Sequence, residues 1–288
     1  MGVCNKNKRF LSSKNGNLVL LQPNFRNMNL VDTHTHLSRE YYPDDFDEVV
    51  ARAIEAGVTQ AIVPCVNAQS INSLFEAADR YPQHLFPLIG LHPTDITETY
   101  REDLALMESL LTDPRVAGIG EIGIDLYHDT SLRSEQQEVF YTQLTWARER
   151  NMPLSIHIRS GYEDALAIFN KFGNVQWSGV LHCFSGGIQE AEWAIRHGFA
   201  LGIGGVVTFK NNKLQEIVKA VGPEHIVLET DAPFLAPTPH RGTRNESMYI
   251  PLIAAKVAEV CDLSLEDIAR ITTENSQRIF QKLKTKNC

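Results

Sequence analysis

Two histidines separated by one residue, His34-Thr35-His36, follow directly on the apolar run Leu30-Val31. In a strand, residues i and i+2 point to the same side, so both imidazoles can reach one metal ion. The pair alone is equally a matter of strand polarity, and partners from other strand ends must decide it. Such partners are present. Glu121 follows an apolar run in Gly120-Glu121-Ile122-Gly123, His157 closes the run that starts at Leu154, His182 follows Val180-Leu181, and Asp231 follows Ile226-Val227-Leu228. A lone histidine is more often a satisfied core or surface residue than a ligand, but that reading does not explain six such side chains at five strand ends. Four histidines with two carboxylates suit zinc or manganese, whereas a magnesium site is usually richer in oxygen. If Glu121 bridges two ions, His34, His36 and Asp231 can complete one site and His157 with His182 the other, leaving positions open for water or phosphate. Two divalent ions bring about +4 against about −2 from Glu121 and Asp231, so the pocket becomes locally cationic.

The elements that must position these residues are short β-branched runs alternating with helical patterns. Eight runs occur, centred on Leu30-Val31, Ala61 to Val63, Pro87 to Ile89, Val116 to Ile119, Leu154 to Ile158, Val180-Leu181, Ala200 to Ile203 and Ile226 to Leu228. Between them lie amphipathic helices. The first carries Phe46, Val49, Val50, Ala53 and Ile54 on one face and meets a glycine stop at Gly57; another carries Phe140, Leu144 and Ala147. Ser264, three residues before Asp267, reads as a capping signal. These features predict an α/β chain folded as a single (β/α)8 barrel of the TIM type, with the metal site at its C-terminal mouth. An open doubly wound sheet is the rival, but no G-x-G-x-x-G follows the first run, and polar residues recur after nearly every strand.

With 43% hydrophobic and 22% charged residues, the 288-residue chain is an ordinary globular sequence. Its net charge of −8 excludes a broad basic surface that grips nucleic acid through many phosphates, so any such contact must be local. The five cysteines are odd in number, scattered and never C-x-x-C, which predicts free thiols in a reducing cytoplasm. Before Met28 the only apolar run is Leu18 to Leu21, too short for a signal peptide, and no membrane segment is expected. Residues 1–28 are read as an N-terminal extension expected to be poorly ordered, and residues 29–288 as the barrel.

From Asn29 to about Phe280 the chain resembles the TatD family of metal-dependent deoxyribonucleases, within the amidohydrolase-like barrels. The resemblance rests on Asp32-Thr33-His34-Thr35-His36, Gly90-Leu91-His92-Pro93, Gly120 to Asp125, Ile156 to Arg159, His182 to Gly186 and Glu229 to Leu235, with Arg241 to Asn245 at the arginine-rich loop. It implies that His34, His36, Glu121, His157, His182 and Asp231 are ligands to two divalent ions (zinc, manganese or magnesium), with Glu121 the bridge. Many related barrels use a carboxylated lysine there, and the glutamate favours TatD over phosphotriesterase-like or dihydroorotase-like enzymes. One departure is Tyr127-His128, where two aromatics are expected.

Around the ligands, His92 beside Pro93 is read as a contact to a substrate phosphate or to the departing oxygen. Arg159, Arg241 and Arg244 are read as planar forks for phosphate oxygens, although loop arginines are usually just solvated. Gly202, Gly204 and Gly205 mark either a close backbone approach or a turn. Cys183 adjoins His182 and, on a strand, would point away from the metals. The resulting expectation is a hydrolase of DNA phosphodiester bonds, a 3′-5′ exodeoxyribonuclease acting on single-stranded ends by metal-activated water, with Asp231 as proton acceptor and Glu121 and His92 in the catalytic set. No protein partner is implied. The alternatives are a small-molecule amidohydrolase or lactonase on the same metals, and a scaffold that has lost its chemistry.

Overall fold

The computed structural model describes residues 11–12, 18–19, 28–127, 129–210 and 212–284. Most of the N-terminal extension therefore lies outside the described residues, as does His128; within the extension, Leu11–Ser12 and Leu18–Val19 pair antiparallel. Eight parallel strands follow one another in chain order around a single sheet. They are β1 Leu30–Asp32, β2 Val58–Pro64, β3 Leu85–Ile89, β4 Gly118–Asp125, β5 Leu154–Arg159, β6 Gly179–Leu181, β7 Phe199–Ile203 and β8 Ile226–Leu228. Thr33 closes the ring: its backbone N–H and its hydroxyl both donate to the Leu228 carbonyl, at 2.9 and 3.0 Å. The expected (β/α)8 barrel is thus the observed fold.

Its helices are α1 Phe46–Glu55, α2 Ile71–Arg80, α3 Tyr100–Leu110, α4 Arg133–Arg150, α5 Tyr162–Asn170, α6 Ile188–Arg196, α7 Lys213–Val221, α8 Ile250–Cys261 and α9 Leu265–Ile279. Helix α1 buries Phe46, Val49, Val50 and Ala53, and the chain leaves it through Gly57 at φ 86°. Ser264 caps α9 by accepting the Asp267 N–H at 3.0 Å. Burial of the outer strand faces against these helices makes the larger core. Inside the barrel, Val31, Ile62, Leu88, Val180, Ala200 and Val227 meet Ile279, Phe280 and Leu283 from the segment after β8. Gln60 donates to the Leu283 carbonyl at 2.9 Å, and Lys282 to the carbonyls of Pro114 and Val116, which seats that segment under the N-terminal ends of the strands.

One strand differs from expectation. Val116 and Ala117 precede β4, which instead runs on to Asp125. Glycines at 120 and 123 break the apolar pattern that would have revealed it, and its pairing with β5 shifts register between Ile119 and Ile122. Gly123 is required there: at φ 150°, a Cβ would overlap the His157 carbonyl oxygen.

Candidate metal centre

β1 stops at Asp32, so the His34-Thr35-His36 pair lies in the loop beyond it and strand alternation does not aim it. Cross-links between loops do. His36 N–H donates to the Ala232 carbonyl at 2.8 Å and Asp231 N–H to the His34 carbonyl at 2.9 Å. Asp32, fully buried, accepts from Thr230 N–H at 2.9 Å, from its hydroxyl at 2.6 Å and from His34 N–H at 3.3 Å. The ends of β1 and β8 are thereby fixed together, and burial pushes the Asp32 carboxyl up to about 7 despite those bonds.

All six expected ligands converge. Glu121 Oε2 lies 3.2 Å from His34 Nε2 and 3.8 Å from His36 Nε2, while Oε1 lies 3.2 Å from His157 Nδ1 and 3.6 Å from His182 Nε2. Asp231 Oδ1 faces His36, His182 and His34 at 3.5, 3.8 and 3.9 Å. His34 and His182 stack with ring centroids 3.4 Å apart. His92 joins from the end of β3, its Nε2 3.4 Å from Glu121 Oε1. The buried Nε2 of His34 has no hydrogen-bond partner. A buried donor set with an orphaned imidazole nitrogen aimed among carboxylates fits a divalent cation.

Each inner histidine is held from behind. His34 Nδ1 pairs with Ser155 Oγ at 3.0 Å, His157 Nε2 with Asp125 Oδ2 at 2.9 Å, and His182 Nδ1 faces Glu229 Oε1 at 3.1 Å. Such outer partners fix ring orientation and raise ligand basicity. Asp125 and Glu229 stood in the sequence motifs without an assigned role. The clue available was their position, a carboxylate two or four residues from a ligand. Gly202 has its reason here too: a Cβ would collide with the Glu229 carboxylate.

Burial opposes ionisation of Glu121, yet His34, His92 and His182 hold its carboxyl well below the usual range. Burial alone would lower His92 and His182; Glu121 and Asp95 push His92 up to about 9, and Glu229, Glu121 and Asp231 push His182 up to about 10. For His34 burial wins, assisted by the nearby His182, and its pKa falls.

The centre opens into a cavity of about 780 Å³, whose lining also includes Glu40, Asp95 and Asp125. The sequence count of two negative charges was therefore too small. Arg159 lines this cavity, its guanidinium carbon 3.8 Å from the centre of the Tyr127 ring. Arg241 and Arg244 are not among the lining residues. Arg241 lies over the Phe209 ring at 4.0 Å, and Arg244 is forked onto Asp45 at 2.8 and 2.6 Å and bonded to Glu246 at 2.9 Å. Cys183 does line the cavity, contrary to the strand-face expectation, because β6 ends at Leu181 and Cys183 adopts φ 45°. Burial keeps its thiol protonated.

Side chains from several strands of an α/β barrel and from the loops beyond them, meeting on one shared carboxylate at the C-terminal mouth, put the chain among the metal-dependent hydrolases of that fold. Comparison with known proteins agrees. A family model described as TatD related DNase matches residues 31–281. The chain is 39% identical over 253 residues to the uncharacterized metal-dependent hydrolase YabD of Bacillus subtilis, covering 88% of this chain and 99% of that one. It is 29% identical over 258 residues to the 3′-5′ ssDNA/RNA exonuclease TatD of Pectobacterium parmentieri, covering 88% and 99%. The crystal structure of YjjV, a TatD homologue from Escherichia coli K12, superimposes with a TM-score of 0.80 at 28% identity over 88% of this chain and 98% of that one. The chain belongs to the TatD-related DNase family.

Proposed function

We propose that the chain hydrolyses phosphodiester bonds at the 3′ ends of single-stranded or damaged DNA, working 3′ to 5′ with two divalent ions. The observation that carries this reading is the division of Glu121, whose two oxygens face different sets of histidines, an arrangement that would let the carboxylate serve two cations at once. The histidine-rich donors favour zinc or manganese over magnesium. Such ions, when bound, lower the pKa of water and neutralise charge at a phosphoryl group. Asp231 is the proton acceptor of this reading: burial opposes its ionisation, but His182 and His36 outweigh burial and hold its carboxyl below the usual range, so it is deprotonated and able to accept. His92 donates to a phosphate or departing oxygen, and Arg159 forks onto phosphate oxygens from the cavity wall. Polarity and strand preference are supported by relatives named as 3′-5′ ssDNA/RNA exonucleases.

The test is to incubate metal-reconstituted protein with end-labelled oligonucleotides and resolve the products on a gel. A ladder shortening from the 3′ end is expected. A second reading, a small-molecule amidohydrolase or lactonase, is favoured by one observation: Arg241 and Arg244, the residues that would have marked a phosphate site, do not line the cavity. Hydrolysis of lactones or amides with DNA left intact would select it.

A further inference from the structure

Isolated apolar side chains on a protein surface need no explanation, but several gathered at the rim of a site do. Phe234 and Leu235 are 50% and 42% exposed, and both line the metal cavity. Phe234 is not loose. Asn245, fully buried, donates its side-chain amide to the carbonyls of Thr230 and Phe234 at 2.8 and 2.5 Å, and its backbone N–H to Pro233 at 3.0 Å. Phe234 N–H donates to the Asp231 carbonyl at 2.8 Å, so the loop that carries the Asp231 ligand also fixes this ring. Edge contacts brace it: the Phe234 ring centre is 5.9 Å from that of His36 and 6.2 Å from that of Tyr41. Tyr41, partly buried, is itself 5.0 Å from His36.

We infer that Phe234, backed by Tyr41, is a stacking wall for one unpaired nucleobase beside the scissile phosphate, and that this wall selects single strands. The inference rests on the nuclease reading and adds the residue that sets its specificity. A phosphate drawn to the metal centre beside His36 would leave its own nucleotide against the adjacent wall, and that wall presents a fixed aromatic ring. Every base has a π face, so such a wall accepts any sequence, but only a base freed from its partner and its neighbours can reach it. The cavity has the size of a small-ligand pocket, suited to a nucleotide or two rather than a duplex.

The test compares two single-stranded oligonucleotides that differ only in their 3′-terminal residues, thymidines in one and abasic residues in the other. Metal-loaded wild type, Phe234→Ala, Phe234→Leu and Phe234→Tyr are assayed on both. Wild type is expected to favour the thymidine end by roughly 5- to 100-fold in kcat/KM, the range of one base stack. Phe234→Ala and Phe234→Leu should bring the ratio near one, and Phe234→Tyr should keep it. Leucine retains apolar bulk without a flat face, so it separates stacking from simple cover and serves if alanine disturbs the loop. A wild-type ratio of one, or a ratio that survives Phe234→Leu, overturns the wall while leaving the nuclease intact. Absence of cleavage of either oligonucleotide by wild type overturns the nuclease reading and the wall with it.

Discussion

The two ends of the barrel interior are built from the same strands and have opposite chemistry. At the lower end apolar residues from six of the strands, such as Val31, Ile62 and Val227, pack with Phe280, which is fully buried. At the upper end the same chain continues into His34, Glu121, His157, His182 and Asp231, a largely buried cluster with an orphaned imidazole nitrogen. Burying ionisable groups together is costly unless they are paired or hold a metal. One end therefore contributes stability, and the other draws on it to keep ligands ready for a cation. The difference teaches where chemistry and packing can be separated by mutation.

The largest expected effects break the upper end alone. Asp231→Asn removes a ligand and the proposed proton acceptor, so kcat on DNA should fall by about 10²- to 10⁴-fold or more; near-normal turnover in a metal-replete variant would end that role. Glu121→Gln offers a neutral amide between two cations, and elemental analysis should find both ions depleted while circular dichroism keeps the wild-type spectrum. Retention of two tight ions would show that Glu121 is no bridge. The lower end should answer in the other currency. Phe280→Ala leaves a cavity under the strands and should cost about 3–5 kcal/mol in chemical denaturation, with metal content unchanged. Loss of metal from that variant at temperatures where it stays folded would show that the two ends are not independent.

A smaller effect separates the ligands from their supports. Asp125→Asn and Glu229→Gln leave all six ligands in place but weaken the hold on His157 and His182, and metal affinity measured by competition with a chelator should fall roughly 10- to 100-fold. Equal affinity in both variants and wild type would make these carboxylates bystanders.

The candidate ligands were legible in the sequence because each is a polar residue at or near the end of an apolar run, a local signal. Their supports were not, since the pairing of Asp125 with His157 and of Glu229 with His182 spans 32 and 47 residues and exists only once the barrel closes. Rules of strand alternation misled where they were carried past the end of a strand. β6 ends before His182, so Cys183 turns into the cavity, and β1 ends before His34, so the H-x-H pair reaches the centre by loop cross-links. Nothing local in Arg241-Gly242-Thr243-Arg244 reveals that Asp45, far off in sequence, already occupies one of its guanidinium groups.

That occupied guanidinium sets the smallest effect and sharpens the account of how an acidic protein holds DNA. Each phosphate partner removed should lower the steepness with which binding falls as salt rises by about one unit. If the ions and the cavity wall supply the contacts, only about one to three phosphates are neutralised and the slope is shallow from the start. Arg159 lines the cavity, so Arg159→Ala should reduce the slope by about one. Arg244→Ala should leave it unchanged, because its guanidinium is spent on Asp45 and Glu246, and the partly exposed pairs it loses are worth at most about 1 kcal/mol of stability. The measurement is a salt titration of oligonucleotide binding by a hydrolysis-impaired, metal-loaded protein carrying each substitution in turn. A drop in slope for Arg244→Ala and none for Arg159→Ala would mean that DNA enters over the loop after β8, and a steep slope persisting in metal-free protein would mean a basic track outside the mouth altogether.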